Sequence, residues 1–178
     1  PLEGALHAHF VRSTTAHGTI ESIEVDDARS MPGVVAVYTA ADLGLDDRPV
    51  TMGFYQSEMG RPFLAGDRVR FVGEPIAVVV AESPYLAADA AEMIWADIEP
   101  LPPRLGLADS LAGDTVLFPD LGHNVAFRNA VEDPIDFSGY EVVVTEEIVN
   151  SRVAAVSIEP RVVAASIEDG RLTCWASS

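Results

Sequence analysis

Two histidines one residue apart, His7 and His9, come first among the residues of this 178-residue chain that could do chemistry. Side chains alternate along an extended strand, so His7-Ala8-His9 places both imidazoles on one face. With His17 close behind, binding of a zinc-like ion is the chemistry they could perform. No third ligand stands at a fixed spacing, and an ordinary exposed or hydrogen-bonded pair is the plainer reading. Carboxylates occur in adjacent pairs at Asp26-Asp27, Asp46-Asp47, Glu146-Glu147 and Glu168-Asp169. Neighbours on a strand point to opposite faces, which is poor geometry for two acids sharing one reacting centre. None has the alternating oxygen spacing of a calcium loop, so a solvated surface accounts for them. Gly73 follows an apolar run but lacks both phosphate-cradling glycine patterns, and no serine sits in a nucleophile elbow. The single Cys174 permits no internal disulfide and cannot alone ligate an iron–sulfur cluster. Lying in an apolar run beside Trp175, it reads as a buried, inert thiol. Glu159-Pro160-Arg161 sets opposite charges in an otherwise apolar stretch, where an internal ion pair is expected. These residues do not add up to a complete active site, and no catalytic, cofactor-binding or metal-ligating residue is assigned.

Eleven basic residues, all arginine, face twenty-eight acidic ones for a net charge of −17. A chain this acidic would be repelled by nucleic acid and by anionic membrane surfaces. Apolar residues make up 48% of it, enough for a packed core. Runs such as Ile76-Ala77-Val78-Val79-Val80-Ala81 are too short to cross a bilayer as a helix, so no membrane insertion is expected. No secretory signal is visible, although the chain starts at Pro1 and leaves room for a removed upstream stretch. One cysteine makes a reducing cytoplasm the default location.

Strand-compatible residues at Ala5–Arg12, Thr19–Val25 and Val34–Tyr38 predict three short strands, with Met31-Pro32-Gly33 as a breaker. Residues 44–67 read as a long surface loop. Val69–Val72 and Ile76–Ala81 predict buried strands broken by Gly73-Glu74-Pro75. Ser83 is a natural helix cap and Pro84 suits the first helical position. Leu86, Ala90, Met93 and Ile94 follow helical spacing, with Asp89 and Glu92 opposite. Trp95–Glu99 resumes as a strand, which completes a strand–helix–strand unit of an α/β fold. Prolines and glycines make residues 100–138 a linker candidate, with a short helix around Leu107–Leu111. Glu141–Arg152 predicts a long strand. Val162–Glu168 and Arg171–Ala176 predict a hairpin across Asp169-Gly170, whose two turn positions need positive φ. That hairpin stands at the end of the chain, so its sheet is expected to continue in residues beyond it.

Taken in order, these segments resemble the large subunit of the molybdenum hydroxylases, the family of xanthine dehydrogenase, aldehyde oxidase and aerobic carbon monoxide dehydrogenase. The resemblance rests on Leu6-His7-Ala8 with Phe10-Val11-Arg12-Ser13, on Ala16-His17 and Ile20, and on Met31-Pro32-Gly33-Val34-Val35-Ala36-Val37. Thr39-Ala40-Ala41-Asp42-Leu43 follows, then the most specific stretch, Val69-Arg70-Phe71-Val72-Gly73-Glu74-Pro75-Ile76-Ala77-Val78-Val79-Val80-Ala81-Glu82. Ala87-Ala88-Asp89-Ala90-Ala91-Glu92, Ile98-Glu99-Pro100-Leu101-Pro102, Asn124-Val125-Ala126, Ile158-Glu159-Pro160-Arg161 and Trp175-Ala176-Ser177 complete it.

The resemblance implies an α/β (α+β) fold: a hammerhead domain over residues 1–103, a linker over 104–138, and the first strands of a molybdopterin-binding domain over 139–178. It implies a molybdenum–pterin cofactor in the full-length subunit, with iron–sulfur and flavin groups on other domains or subunits. The implied partners are the remainder of the large subunit and the iron–sulfur and FAD-binding components. The implied activity is hydroxylation of aldehydes, purines, N-heterocycles or carbon monoxide, with this part of the subunit structural. The family's glutamine at the metal centre would come just after the segment matching Trp175-Ala176-Ser177, and Glu159 and Arg161 would be architectural. The alternative from another class is a stand-alone, non-catalytic interaction module that keeps the hammerhead fold.

Overall fold

The computed structural model describes residues 3–45, 56–128, 135–151, 153–154 and 156–177. They fall into two compact units, Glu3–Asn129 and Ala130–Ser178, so the stretch expected as a linker is divided between them.

The first unit is built on two three-stranded antiparallel sheets. Strands β1 (His7–Arg12), β2 (Gly18–Glu24), β3 (Val34–Thr39), β4 (Arg68–Val69), β5 (Pro75–Ala81) and β6 (Trp95–Pro100) form them. One sheet has the order β1-β5-β3 and the other β4-β2-β6. Helices α1 (Asp26–Ser30), α2 (Ala40–Leu43), α3 (Pro84–Glu92) and α4 (Leu107–Ala112) accompany them. The near-continuous apolar sequence of β5 follows from its central place. Val79 and Ala81 enter one core with Val25, Ala28, Val37, Ala87 and Ala90, while Ile76 enters a second with Ala65 and Val69. With a period of two, odd and even positions of one strand can serve two cores. The strand–helix–strand unit is present, but β5 and β6 belong to different sheets, so α3 crosses between sheets instead of joining parallel neighbours.

Helix α3 starts as its sequence demands. Ser83 Oγ accepts a hydrogen bond from Leu86 N, and Pro84 occupies the first turn, where a missing N–H costs nothing. Its buried face is Ala87 and Ala90, with Leu86, Ala91 and Ile94 packed alongside; Met93, expected on that stripe, is the C-cap and is exposed. Two short helices, α1 and α2, were not legible as helices. In α2, Thr39 and Asp42 form a capping box and Gly44 ends the helix at φ +55°.

Two expected strands differ. Of Val69–Val72 only Val69 is in a strand, because the Glu74 carboxylate accepts Arg70 N and turns the chain toward Gly73 at φ +92°. Glu141–Arg152 forms no strand over its described residues. An extended, β-branched run becomes a strand only when a neighbour takes its N–H and C=O groups, and none among the described residues pairs with it.

In the second unit, β7 (Val163–Glu168) pairs with β8 (Arg171–Ala176) in the expected register, Glu168 opposite Arg171. Asp169 and Gly170 have φ of +50° and +77°, the turn that matches strand twist. Ser177 closes the open end: its N donates to Val162 O at 3.0 Å and its Oγ accepts from Val162 N at 2.8 Å.

Candidate functional site

The motifs of the first unit meet one another as pairs of joints. Arg12 Nη1 donates to Gly73 O at 2.8 Å, Ser13 N donates to Glu74 O at 2.9 Å, and Gly73 N donates to Ser13 O at 2.8 Å. The Arg12-Ser13 end of β1 thereby grips the turn that leads into β5. His17 is only 1% exposed; its Nδ1 lies 2.9 Å from Pro102 O, and Leu101 N donates to His17 O at 2.8 Å. A carbonyl only accepts, so Nδ1 carries the proton, and buried Nε2 has no partner among the described residues. Glu82 N donates to Gly33 O at 2.9 Å, and a Cβ on Gly33 would stand 2.6 Å from Leu86 Cδ1. Arg12, Ser13 and His17 thus each tie a strand end to a distant backbone segment.

His7 and His9 lie on β1, exposed, and His17 is buried and bound to Pro102. Among the described residues no three His, Cys, Asp or Glu side chains are grouped to hold a metal ion. Asp26, Asp27, Glu146, Glu147, Glu168 and Asp169 are all exposed, as a solvated surface requires; Asp46-Asp47 lies outside the described residues. Two expectations are corrected. Cys174 is exposed, because β8 belongs to a two-stranded ribbon without a layer packed over it among the described residues. Glu159 and Arg161 are likewise exposed, in a stretch without regular structure, and are not ion-paired to each other; no core encloses them to force the pairing.

Sequence reasoning missed Asn124 as an organiser. Its Oδ1 accepts Leu117 N at 2.9 Å, and its Nδ2 donates to Ser110 O at 3.0 Å and Thr115 O at 2.8 Å. An amide directly after Gly122-His123 in an irregular stretch is the signal that could have found it. The segment it orders supplies one wall of a cavity of about 690 Å³ in the first unit. Further walls come from Ala40 and Leu43 of α2 and from the 58–70 stretch. Arg70 lines it with Nε donating to Leu117 O at 3.0 Å and its guanidinium 4.8 Å from the Phe118 ring centroid.

Two antiparallel sheets crossed by one helix define a module of the α/β hammerhead kind. Residues 1–102 match the family described as "Aldehyde oxidase and xanthine dehydrogenase, a/b hammerhead domain". The chain belongs to that family. It is 36% identical over 98% of its length to the 6-hydroxypseudooxynicotine dehydrogenase complex subunit gamma of Paenarthrobacter nicotinovorans, and covers 23% of that protein. It is 32% identical over 99% of its length to the carbon monoxide dehydrogenase large chain of Afipia carboxidovorans, covering 24% of it. Among solved structures, quinoline 2-oxidoreductase from Pseudomonas putida 86 superposes with a TM-score of 0.89 at 34% identity, over 99% of this chain and 23% of that one. The chain thus spans about a quarter of the length of these relatives.

Relatives include a protein described as the xanthine dehydrogenase molybdenum-binding subunit of Escherichia coli O157:H7. No described residue is assigned to such a group: the one thiol stands on an open ribbon, and Arg70 in the cavity is engaged with the wall. No catalytic step is assigned to the described residues.

Proposed function

We propose that this chain is the structural, non-catalytic opening part of the large subunit of a molybdenum-cofactor oxidoreductase that hydroxylates aldehydes, purines, N-heterocycles or carbon monoxide. The observation that carries the reading is the 34% identity and 0.89 TM-score over 99% of the chain with one segment of quinoline 2-oxidoreductase. In this reading residues 1–103 are the hammerhead, 104–138 connect, and 139–178 begin the cofactor-binding region. Support for the last part comes from Ile158, Val153 and Ile148, which are 105%, 90% and 88% exposed. A row of β-branched residues so bare is suited to cover by further chain. The cofactor is held by other parts of the subunit, iron–sulfur and flavin groups reside on other domains or subunits, and the protein works in the cytoplasm.

The test is to purify the native protein that carries this sequence and follow dye-linked oxidation of quinoline, an aldehyde, xanthine and carbon monoxide. One of these substrates is oxidised, and growth on tungstate in place of molybdate abolishes the activity. A native protein of 19.0 kDa that oxidises none of them, or an activity indifferent to tungstate, overturns the reading.

A further inference from the structure

Residues 104–128 belong to the first compact unit, although the family's hammerhead domain ends at residue 102. Each of them is described and none is fully buried, so apolar packing alone does not hold the segment. Its internal order comes from side chains that reach backbone and hydroxyl groups. Asn124 bridges Ser110, Thr115 and Leu117, and Arg104 Nη2 donates to Thr115 Oγ1 at 2.8 Å. The segment meets the rest of the unit at Arg70, whose Nε donates to Leu117 O at 3.0 Å and whose guanidinium lies 4.8 Å from the Phe118 ring centroid. It meets it again at Gln56, whose N donates to Ala126 O at 3.0 Å. Arg70 is a firm base for such a hold. Its N donates to the carboxylate of buried Glu74, its Nη1 donates to Arg68 O at 3.4 Å, and neighbouring Val69 is buried in a core.

We propose that residues 104–128 form a strap latched onto the hammerhead by the Arg70 side chain, and that the strap opens and closes as one unit. A charged donor on a carbonyl and a cation over a ring both need the planar, permanently charged guanidinium. No ion pair competes for it among the described residues. A lifted segment without a buried residue cannot shield its own hydrogen bonds from water, so release and loss of internal order coincide. Residues 118–121 line the 690 Å³ cavity, so the same release opens that cavity from one side. The latch is independent of the redox chemistry proposed for the whole protein.

Amide hydrogen exchange of the 15N-labelled 178-residue chain tests the latch. Arg70→Met keeps the aliphatic stem and removes the donor and the charge. It is expected to speed exchange at Gln56, Ser110, Leu117 and Leu121 by a common factor of about ten, while β1 and β5 keep parental rates. Gln56 decides between release and local loosening, because its N–H is bonded to the strap at Ala126 and lies far from Arg70 in sequence. Phe118→Leu, on the strap and outside both sheets, is expected to speed the same amides by a smaller common factor, and it reads the release even where Arg70→Met loosens a sheet. The double variant falls short of the product of the two factors, because the two side chains share one contact. Unchanged exchange at Gln56, acceleration confined to residues 117–118, equal acceleration of β5 in both variants, or factors that multiply in the double variant would each overturn the proposal.

Discussion

Single side chains in this fold matter through the backbone groups they satisfy. Asn124 presents an acceptor to one N–H and two donors to two carbonyls, a set that only an amide supplies. Asn124→Asp keeps the shape but turns a carboxylate against the carbonyls of Ser110 and Thr115. It is expected to cost about 2 kcal/mol, read as a lower melting temperature at pH 7. Asp42 belongs to the same class. Its carboxylate accepts from Thr39 N and Thr39 Oγ1 and faces Arg29, which together hold its pKa below the usual aspartate range. A depressed folded pKa contributes stability above the unfolded value, about 3.9, and that stability is lost as pH falls through the folded value. Asp42→Asn should therefore be less stable than the parent at pH 7, with the gap closing toward pH ~2; urea unfolding across that range measures it. None of these networks was visible beforehand, because spacing reveals which groups exist and not which carbonyl each one meets. His17 illustrates this: the Nδ1 of an imidazole that suggested metal chemistry meets the backbone carbonyl of Pro102, distant in sequence.

At the scale of elements, legibility followed locality. The Asp169-Gly170 hairpin and the Ser83-Pro84 helix start were readable, since each rests on residues within a turn of one another. The helices α1 and α2, five and four residues long, carry too little periodicity to register. Residues 141–151 show the opposite failure: their β-branched content signals an extended chain, but a ladder depends on a partner that local pattern cannot report. The sheet formed by β4, β2 and β6 depends on close approach at Gly18. A Cβ there would stand 2.6 Å from Ile98 Cγ2 and 2.7 Å from the Glu99 carbonyl oxygen. Gly18→Ala pushes against a backbone atom that cannot swing aside, and is expected to destabilise the first unit by about 1–3 kcal/mol. Amide exchange should quicken at β2 and β6 in that variant while β7 and β8 keep parental rates.

For the molecule as a whole, the sequence motifs and the structure agree on the family: residues 1–102 match the hammerhead domain, in a chain that spans about a quarter of its relatives. Family motifs at Arg12-Ser13, His17, Gly33 and Gly73-Glu74 close the hammerhead on itself, and the described residues bring no metal-ligating cluster together. The fold class and the family were legible because those motifs follow one another in a particular order along the chain. This account is tested most directly by the molybdenum content of the 178-residue chain produced alone, beside that of the full-length subunit from the same host. The account predicts about one molybdenum per full-length chain, held by residues outside this part, and none retained by the 178-residue chain after gel filtration. Stoichiometric molybdenum on the short chain would contradict it, as would a full-length subunit that purifies from a molybdate-supplied host without the metal.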